Sequence, residues 1–254
     1  MRTAHHLVVG ILALLLTLTL VGIRPAQAQT WNQVVADTFS RSVTSGWGDL
    51  PTGGKYTMIK SSVVPASVAN GTGNLGNLTE GRRFIAMLPP TLDDVRAASS
   101  VTITAPTGTD LFHTWRVRDT GNGSWYAITY RTNPSGEVIL SVSRVVDNKS
   151  YWVHGVNLPY RVASGHTLNL EVEVTGTSPV TVLARAWQAG TTPPDWQLKA
   201  TDKHASRLTA PGLVGLDDFI GIASSALTLN YDNILVQTPV ATSAPTATAP
   251  APAP

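Results

Sequence analysis

The sequence predicts an all-β protein: a two-sheet antiparallel sandwich of the jelly-roll type. Three observations carry this. No stretch between residues 30 and 237 sustains a 3.6-residue apolar period over three turns. Short runs rich in β-branched and aromatic residues recur instead, separated by Gly, Asn, Pro and Asp. Within the longer runs apolar and polar residues alternate, giving one face for a core and one for water. About eleven such runs over roughly 200 residues suit a sandwich and not alternating strand–helix units.

Taken in order, the expected strands lie near Val34–Phe39, Tyr56–Ile59, Val101–Ala105, Leu111–Asp119, Trp125–Arg131, Glu137–Val146, Tyr151–Asn157, His166–Thr175, Val180–Trp187, Leu213–Leu216 and Ala226–Gln237. Gly121-Asn122-Gly123 and Asn133-Pro134-Ser135-Gly136 between them are hairpin signals. A single helical turn is expected around Asp202–Arg207. In the fourth run Leu111, Trp115 and Val117 oppose Phe112, Thr114, Arg116 and Arg118. In the fifth, Tyr126, Ile128 and Tyr130 oppose Trp125, Thr129 and Arg131. Val138, Leu140 and Val142 oppose Glu137 and Ser141, and Leu168, Leu170, Val172 and Val174 oppose Asn169, Glu171 and Glu173.

The ends of the chain read differently. Residues 1–28 have the form of a secretory signal peptide: Arg2, an uncharged apolar run from Leu7 to Ile23, then Ala26-Gln27-Ala28 as a small-x-small cleavage site. The run is near the shortest length that spans a bilayer, but Arg24-Pro25 and the cleavage pattern favour removal. The expected product is secreted and extracellular, with no membrane insertion after cleavage. From Thr238 to Pro254 the chain has no charged or aromatic residue and is rich in Pro, Ala and Thr, the composition of an extended linker or tail. A linker implies a further C-terminal module as partner; the alternative is that the tail is a spacer of its own. The folded part is therefore expected at residues 29–237.

Composition excludes several functions. There is no cysteine, hence no disulfide framework, thiol nucleophile or cysteine-ligated metal. The formal charge of +2 comes from Arg2 and Arg24 in the leader; without them sixteen basic and sixteen acidic side chains balance. A chain of net zero has no field to gather nucleic acid, so none is expected as a partner.

Asp37-Thr38-Phe39-Ser40-Arg41, Ser45-Gly46-Trp47-Gly48 and Thr52-Gly53-Gly54-Lys55-Tyr56-Thr57 resemble the opening of the concanavalin A-like lectin/glucanase (laminin G-like) jelly-roll module of secreted bacterial proteins. Ala184-Arg185-Ala186-Trp187, Asp195-Trp196-Gln197-Leu198, Gly212-Leu213-Val214-Gly215-Leu216 and Tyr231-Asp232-Asn233-Ile234 are similar to its second half. The resemblance spans Val34 to Val236, except that Phe84–Pro90 is more apolar than a loop. It implies the fold but not the activity, since hydrolases, lectins and adhesion modules share it. It also implies a structural calcium ion where the first and last strands meet, with Asp37 and Asp232 as ligands. Two carboxylates are a thin set for a cation that takes six to eight oxygens, and each residue could instead cap a turn.

For catalysis, Glu171 and Glu173 stand at i and i+2 on one strand face, but Thr175 fills the third position of a Glu-x-Asp-x-Glu glucanase arrangement. The pair could be a glycoside hydrolase or lyase site, or two solvated charges. No Gly-x-Ser-x-Gly elbow occurs, and His113, on an apolar face, reads as packed. For binding, Arg116, Arg118, Trp125, Thr129 and Arg131 share the wet faces of adjoining strands, with Arg185 and Trp187 expected beside them. Such a set suits a polysaccharide or glycan; covered tryptophans and arginines paired with Glu137, Glu171 and Glu173 would be the plain alternative. The leading expectation is a secreted, non-catalytic module that binds carbohydrate or another extracellular polymer. The others are the hydrolase using Glu171 and Glu173, and a cell-surface spacer with no ligand.

Overall fold

The computed structural model describes residues 29–60 and 65–241; the leader (1–28) and most of the tail lie outside the described residues. Fifteen strands are found there and no helix: β1 (Trp31–Asp37), β2 (Thr57–Lys60), β3 (Ala66–Ala69), β4 (Thr72–Leu78), β5 (Arg83–Leu92), β6 (Val95–Thr104), β7 (Asp110–Asp119), β8 (Trp125–Thr132), β9 (Glu137–Val146), β10 (Lys149–Arg161), β11 (His166–Thr175), β12 (Val180–Gln188), β13 (Leu198–Asp202), β14 (Gly212–Ile222) and β15 (Leu227–Pro239). All pairings are antiparallel. One sheet has the order β13-β12-β11-β6-β15-β4-β3, with β1 also on β15; the other runs β10-β9-β8-β7-β14-β5-β2. The first and last strands pair, Trp31 opposite Pro239 and Asp37 opposite Ile234. The last strand thus continues two residues past Gln237. The region Ala66–Leu92, where no strand is expected, forms β3, β4 and β5, and the expected helical turn is an ordinary turn after β13.

The alternation of the sequence is what builds the core. Leu111, Trp115 and Val117 of β7, Tyr126, Ile128 and Tyr130 of β8, and Val138, Leu140 and Val142 of β9 face Leu168, Leu170, Val172 and Val174 of β11 and Val180, Val182 and Ala184 of β12, all buried. The opening motif is a packing device. Trp47 lies 5.1–5.3 Å from the rings of Phe39, Tyr56, Phe84 and Tyr231. Beneath it Asp37 is fully engaged: its Oδ1 accepts from the Phe39 amide and Arg41, and its Oδ2 from Arg41 and the Tyr56 hydroxyl, all at 2.7–2.9 Å. Burial, and then the Asp37 charge, hold the Tyr56 phenol far above its ordinary pKa, so it stays a donor.

A second polar cluster joins the two sheets. His113 of β7 lies 2.8 Å from Asp218 of β14 through Nδ1 and 3.2 Å from the Ser99 hydroxyl of β6 through Nε2, while Tyr231 of β15 donates to Asp218. His113 is packed in the core, as expected. All four residues are buried between the sheets, where their mutual hydrogen bonds offset the cost of desolvation and a lost partner costs roughly 1–3 kcal/mol.

At the far end of the sandwich Asp202 accepts from Arg144 at 2.8 Å, the Tyr126 hydroxyl at 2.8 Å and the His204 amide at 3.0 Å. Burial alone would push its carboxyl up, but these donors more than offset that and hold it below the ordinary aspartate value of 3.8. A carboxyl lowered on folding adds stability above its unfolded pKa, and that contribution is lost as pH falls through the folded value. Asp202→Asn should therefore be less stable than the wild type at neutral pH, with the gap narrowing as pH drops below 3.8. Urea midpoints of both proteins against pH check this; a gap independent of pH would contradict it.

Candidate functional site

The antiparallel register lays side chains in rows across the outer face of the seven-stranded sheet. One row reads Trp152, Ser143, Ala127, Arg116, Gly215 and Met87, from β10 to β5. The next reads Gly155, Ser141, Thr129, Thr114, Asp217 and Ile85. From β10 to β7 these two rows are mostly small or hydroxylated, so they form a floor; Thr114 and Thr129 share a 2.9 Å hydrogen bond on it. The flanking row carries Arg131, Phe112, Phe219 and Arg83, and Trp125 with Val145 bounds the other side. A depression of about 390 Å³ lies here, lined among others by Phe112, Thr114, Trp125, Thr129, Asp217 and Phe219. That volume is in the usual range of small-ligand sites, roughly 300–1,000 Å³.

Trp152 is the residue the sequence reading missed. A two-residue turn at Asp147-Asn148, both with positive φ (50° and 62°), connects β9 to β10, the geometry that matches strand twist in a tight hairpin. A register shift between Trp152 and His154 then sets Trp152 and Gly155 on the same face. Gly155 has no side chain to lift the indole; a Cβ there would sit 2.3 Å from the Trp152 ring. The indole lies against the glycine and remains 65% exposed on β10, the edge strand of the sheet. The only signal in the sequence was the Trp-x-x-Gly spacing, which period-2 counting does not connect.

The expected binding set divides. Arg116, Trp125, Thr129 and Arg131 do share this face. Trp125, however, is only 9% exposed, because the Arg116 guanidinium covers its ring at 3.9 Å. Arg116 in turn donates to Asp217 and Asp119, and Asp217 also holds Arg83. Arg131 chelates Asp110 with two 2.8 Å bonds and lies over Phe112. Arg118 is not on the face at all. Its φ of +55° breaks the alternation, and its fully buried guanidinium donates to the carbonyls of Asp93, Leu208 and Gly176 and to Asp94, tying loops together.

Arg185 and Trp187 belong to β12 and therefore to the eight-stranded sheet, so they cannot converge with Trp125 and Arg131. On that sheet's outer face Arg185 donates to Glu171 at 2.7 Å and Arg96 to Glu173 at 2.7 Å. Both guanidinium groups also lie over Trp196, at 4.8 and 5.7 Å. Glu171 and Glu173 are thus tied into an ion-pair ladder.

The two carboxylates expected to hold calcium both have protein partners. Asp37 spends both oxygens on Arg41, Tyr56 and a backbone amide, as described above. Asp232, on the opposite side of the pleat from buried Tyr231, caps its own neighbour, accepting from the Asn233 amide and side chain. Among the described residues no group of three or more His, Cys, Asp or Glu gathers to hold a metal.

No family model and no curated protein sequence matches the chain. Solved structures do. The CBM2 module of Lactobacillus casei BL23 phage J-1 evolved Dit aligns with a TM-score of 0.55 at 10% identity, covering 85% of this chain and 99% of that one. The catalytic domain of an endo-1,3-beta-glucanase (laminarinase) from Thermotoga petrophila RKU-1 aligns at 0.56 and 12%, covering 84% and 99%. A legume lectin-like domain from Entamoeba histolytica aligns at 0.51 and 12%, covering 72% and 89%. The fold is the concanavalin A-like lectin/glucanase sandwich.

Because Trp125 is packed under Arg116, Trp125→Ala should destabilise the protein by about 3 kcal/mol, the low end for removing a buried indole. Thermal or urea unfolding checks this; an unchanged midpoint would show the ring to be free.

Proposed function

We propose, with the concanavalin A-like sandwich as premise, that this protein is an exported module that binds a neutral glycan chain across the outer face of its seven-stranded sheet without cleaving it. The observation that carries the reading is the exposed Trp152 indole at the edge of a floor of small and hydroxylated residues. A flat aromatic face suits the C–H surface of a pyranose; Thr129 and Ser141 offer hydroxyls on paired strands about 4.8 Å apart, and Ser143 adds one about 6.8 Å along β9 from Ser141.

Neutrality follows from charge matching. Arg83, Arg116 and Arg131 on this face are each paired with Asp217, Asp119 or Asp110, so an anionic sugar finds no unmatched field there. The same pairing speaks against hydrolysis. A glycosidase needs one carboxylic acid and one carboxylate beside the scissile bond. The outward positions of β8, at the centre of the groove, are Trp125, Ala127, Thr129 and Arg131, with no acid. Both oxygens of Asp110 and of Asp217 accept from arginine. On the other sheet Glu171 and Glu173 are held by Arg185 and Arg96, which leaves neither placed as a general acid. A spacer without ligand would leave the exposed indole unexplained.

The experiment is a polysaccharide and glycan screen on the full chain, with and without calcium, followed by Trp152→Ala. Stacking contributes about 0.5–1.5 kcal/mol beyond buried area, so affinity should fall about two- to tenfold or more. The unfolding midpoint should stay within about 0.5 kcal/mol, as for other surface substitutions. Binding that survives unchanged in Trp152→Ala would contradict the assignment.

A further inference from the structure

The outer face of the eight-stranded sheet carries a second depression, of about 430 Å³, which the glycan reading above does not use. It forms where β15 leaves β4 for β1. There the pairing of β15 with β6 slips between Asp232 and Leu235, and Asn233 takes a left-handed φ of 52°. The register places Ala98 opposite Leu235 and Leu235 opposite Ala36, so the floor is an apolar row with a leucine between two alanines. One row over, Trp187, Asn169 and Ser100 stand in line on β12, β11 and β6.

Trp187 lines this depression, together with Asn169, Ser100, Thr38 and Asn233. It differs from Trp125 in the feature that matters: it is only partly buried, and its nearest guanidinium, Arg185, is 5.5 Å from the ring centre instead of 3.9 Å. The Ser100 hydroxyl donates to Asn169 Oδ1 at 2.7 Å, which fixes the amide's orientation. Among the described residues the Asn169 Nδ2 donates no hydrogen bond, so the amide keeps its donors for a ligand. Of the bordering charges, Arg96 and Arg185 are balanced by Glu171 and Glu173, and Asp37 by Arg41, while Asp232, opposite Ser100, accepts from Asn233.

An indole wall, a fixed amide, hydroxyls and an apolar floor of Ala36, Leu235 and Ala98 match the chemistry of one pyranose ring. We propose that this depression is a second saccharide site, with Trp187 stacking on the ring and Asn169 bridging two of its hydroxyls. The site stands on its own geometry. Combined with the groove on the seven-stranded sheet it has a consequence: two sites on opposite outer faces cannot be reached by one straight glycan segment, so the module would hold two chains together.

The test follows tryptophan indole N–H resonances of the full chain while neutral hexasaccharides of glucose, mannose, xylose and galactose are titrated. It is run on the wild type, Trp152→Ala, Trp187→Ala and Ala36→Phe. The last variant fills the depression from the outer surface and serves if Trp187→Ala folds poorly. The Trp187 resonance, assigned by its loss in Trp187→Ala, should move with at least one sugar in both the wild type and Trp152→Ala. Ala36→Phe should weaken that response about fivefold or more, in line with a lost stacking contact. A Trp187 resonance that stays in place with all four sugars overturns the proposal, as does a response that Ala36→Phe leaves unchanged. Failure of the groove reading looks different: the Trp152 resonance stays still while that of Trp187 moves.

Discussion

Antiparallel register governs everything else in this molecule. Alternate side chains must enter the core, so the remaining half is laid out in straight rows on two outer faces. A slip of one residue would send Trp115, Tyr126 and Leu140 to water and bring Arg116, Trp125 and Ser141 inside. Two buried polar clusters tie this arrangement down. Asp37 with Arg41 and Tyr56 sets where the chain enters the sandwich, and Ser99, His113, Asp218 and Tyr231 bond across the gap between sheets. Both ask for specific partners at specific positions, which a mere apolar match would not.

Where the register is interrupted, the surface acquires its features. The shift at Trp152 sets an indole against Gly155. The positive φ at Arg118 takes an arginine off the wet face and buries it among carbonyls. The slip at Asp232 opens the depression beside Trp187. Each interruption adds or re-aims a single residue, the usual effect of a bulge next to a functional surface. The arginines respond to the opposite rule. Those on the two faces are matched to Asp or Glu within a few ångströms, so they rigidify the walls without making an electropositive patch.

Much of this was legible in the sequence because alternation is a period-2 signal. The inward faces of β7, β8, β9 and β11 follow the residues as read, and the first and last strands meet as the resemblance implied. The strands between Ala66 and Leu92 were not legible. β4 contains two glycines and two asparagines, which read as turn residues, and β5 is buried along much of its length and shows no alternation. The site was half legible. Periodicity gives the face a residue occupies on its own strand but not the sheet to which that strand belongs, which is why Arg185 and Trp187 were grouped with Trp125 and Arg131. It also cannot tell a covered indole from a bare one: Arg116 lies over the ring of Trp125, whereas Trp152 rests on Gly155 and stays exposed. Asp37 and Asp232 come near one another through β1 and β15, yet their carboxylates point to opposite sides of the pleat.

The central claim, that a glycan crosses the strands over the small-residue floor, is tested most directly by mapping backbone amide shifts of the full chain on titration with an oligosaccharide selected in the screen. The account predicts that the perturbed amides fall at Ala127, Thr129, Ser141, Ser143 and Gly155, in line across β8, β9 and β10. Shifts confined instead to the loops at the end of the sandwich, around Thr107, Ser135 and Ser164, would contradict it.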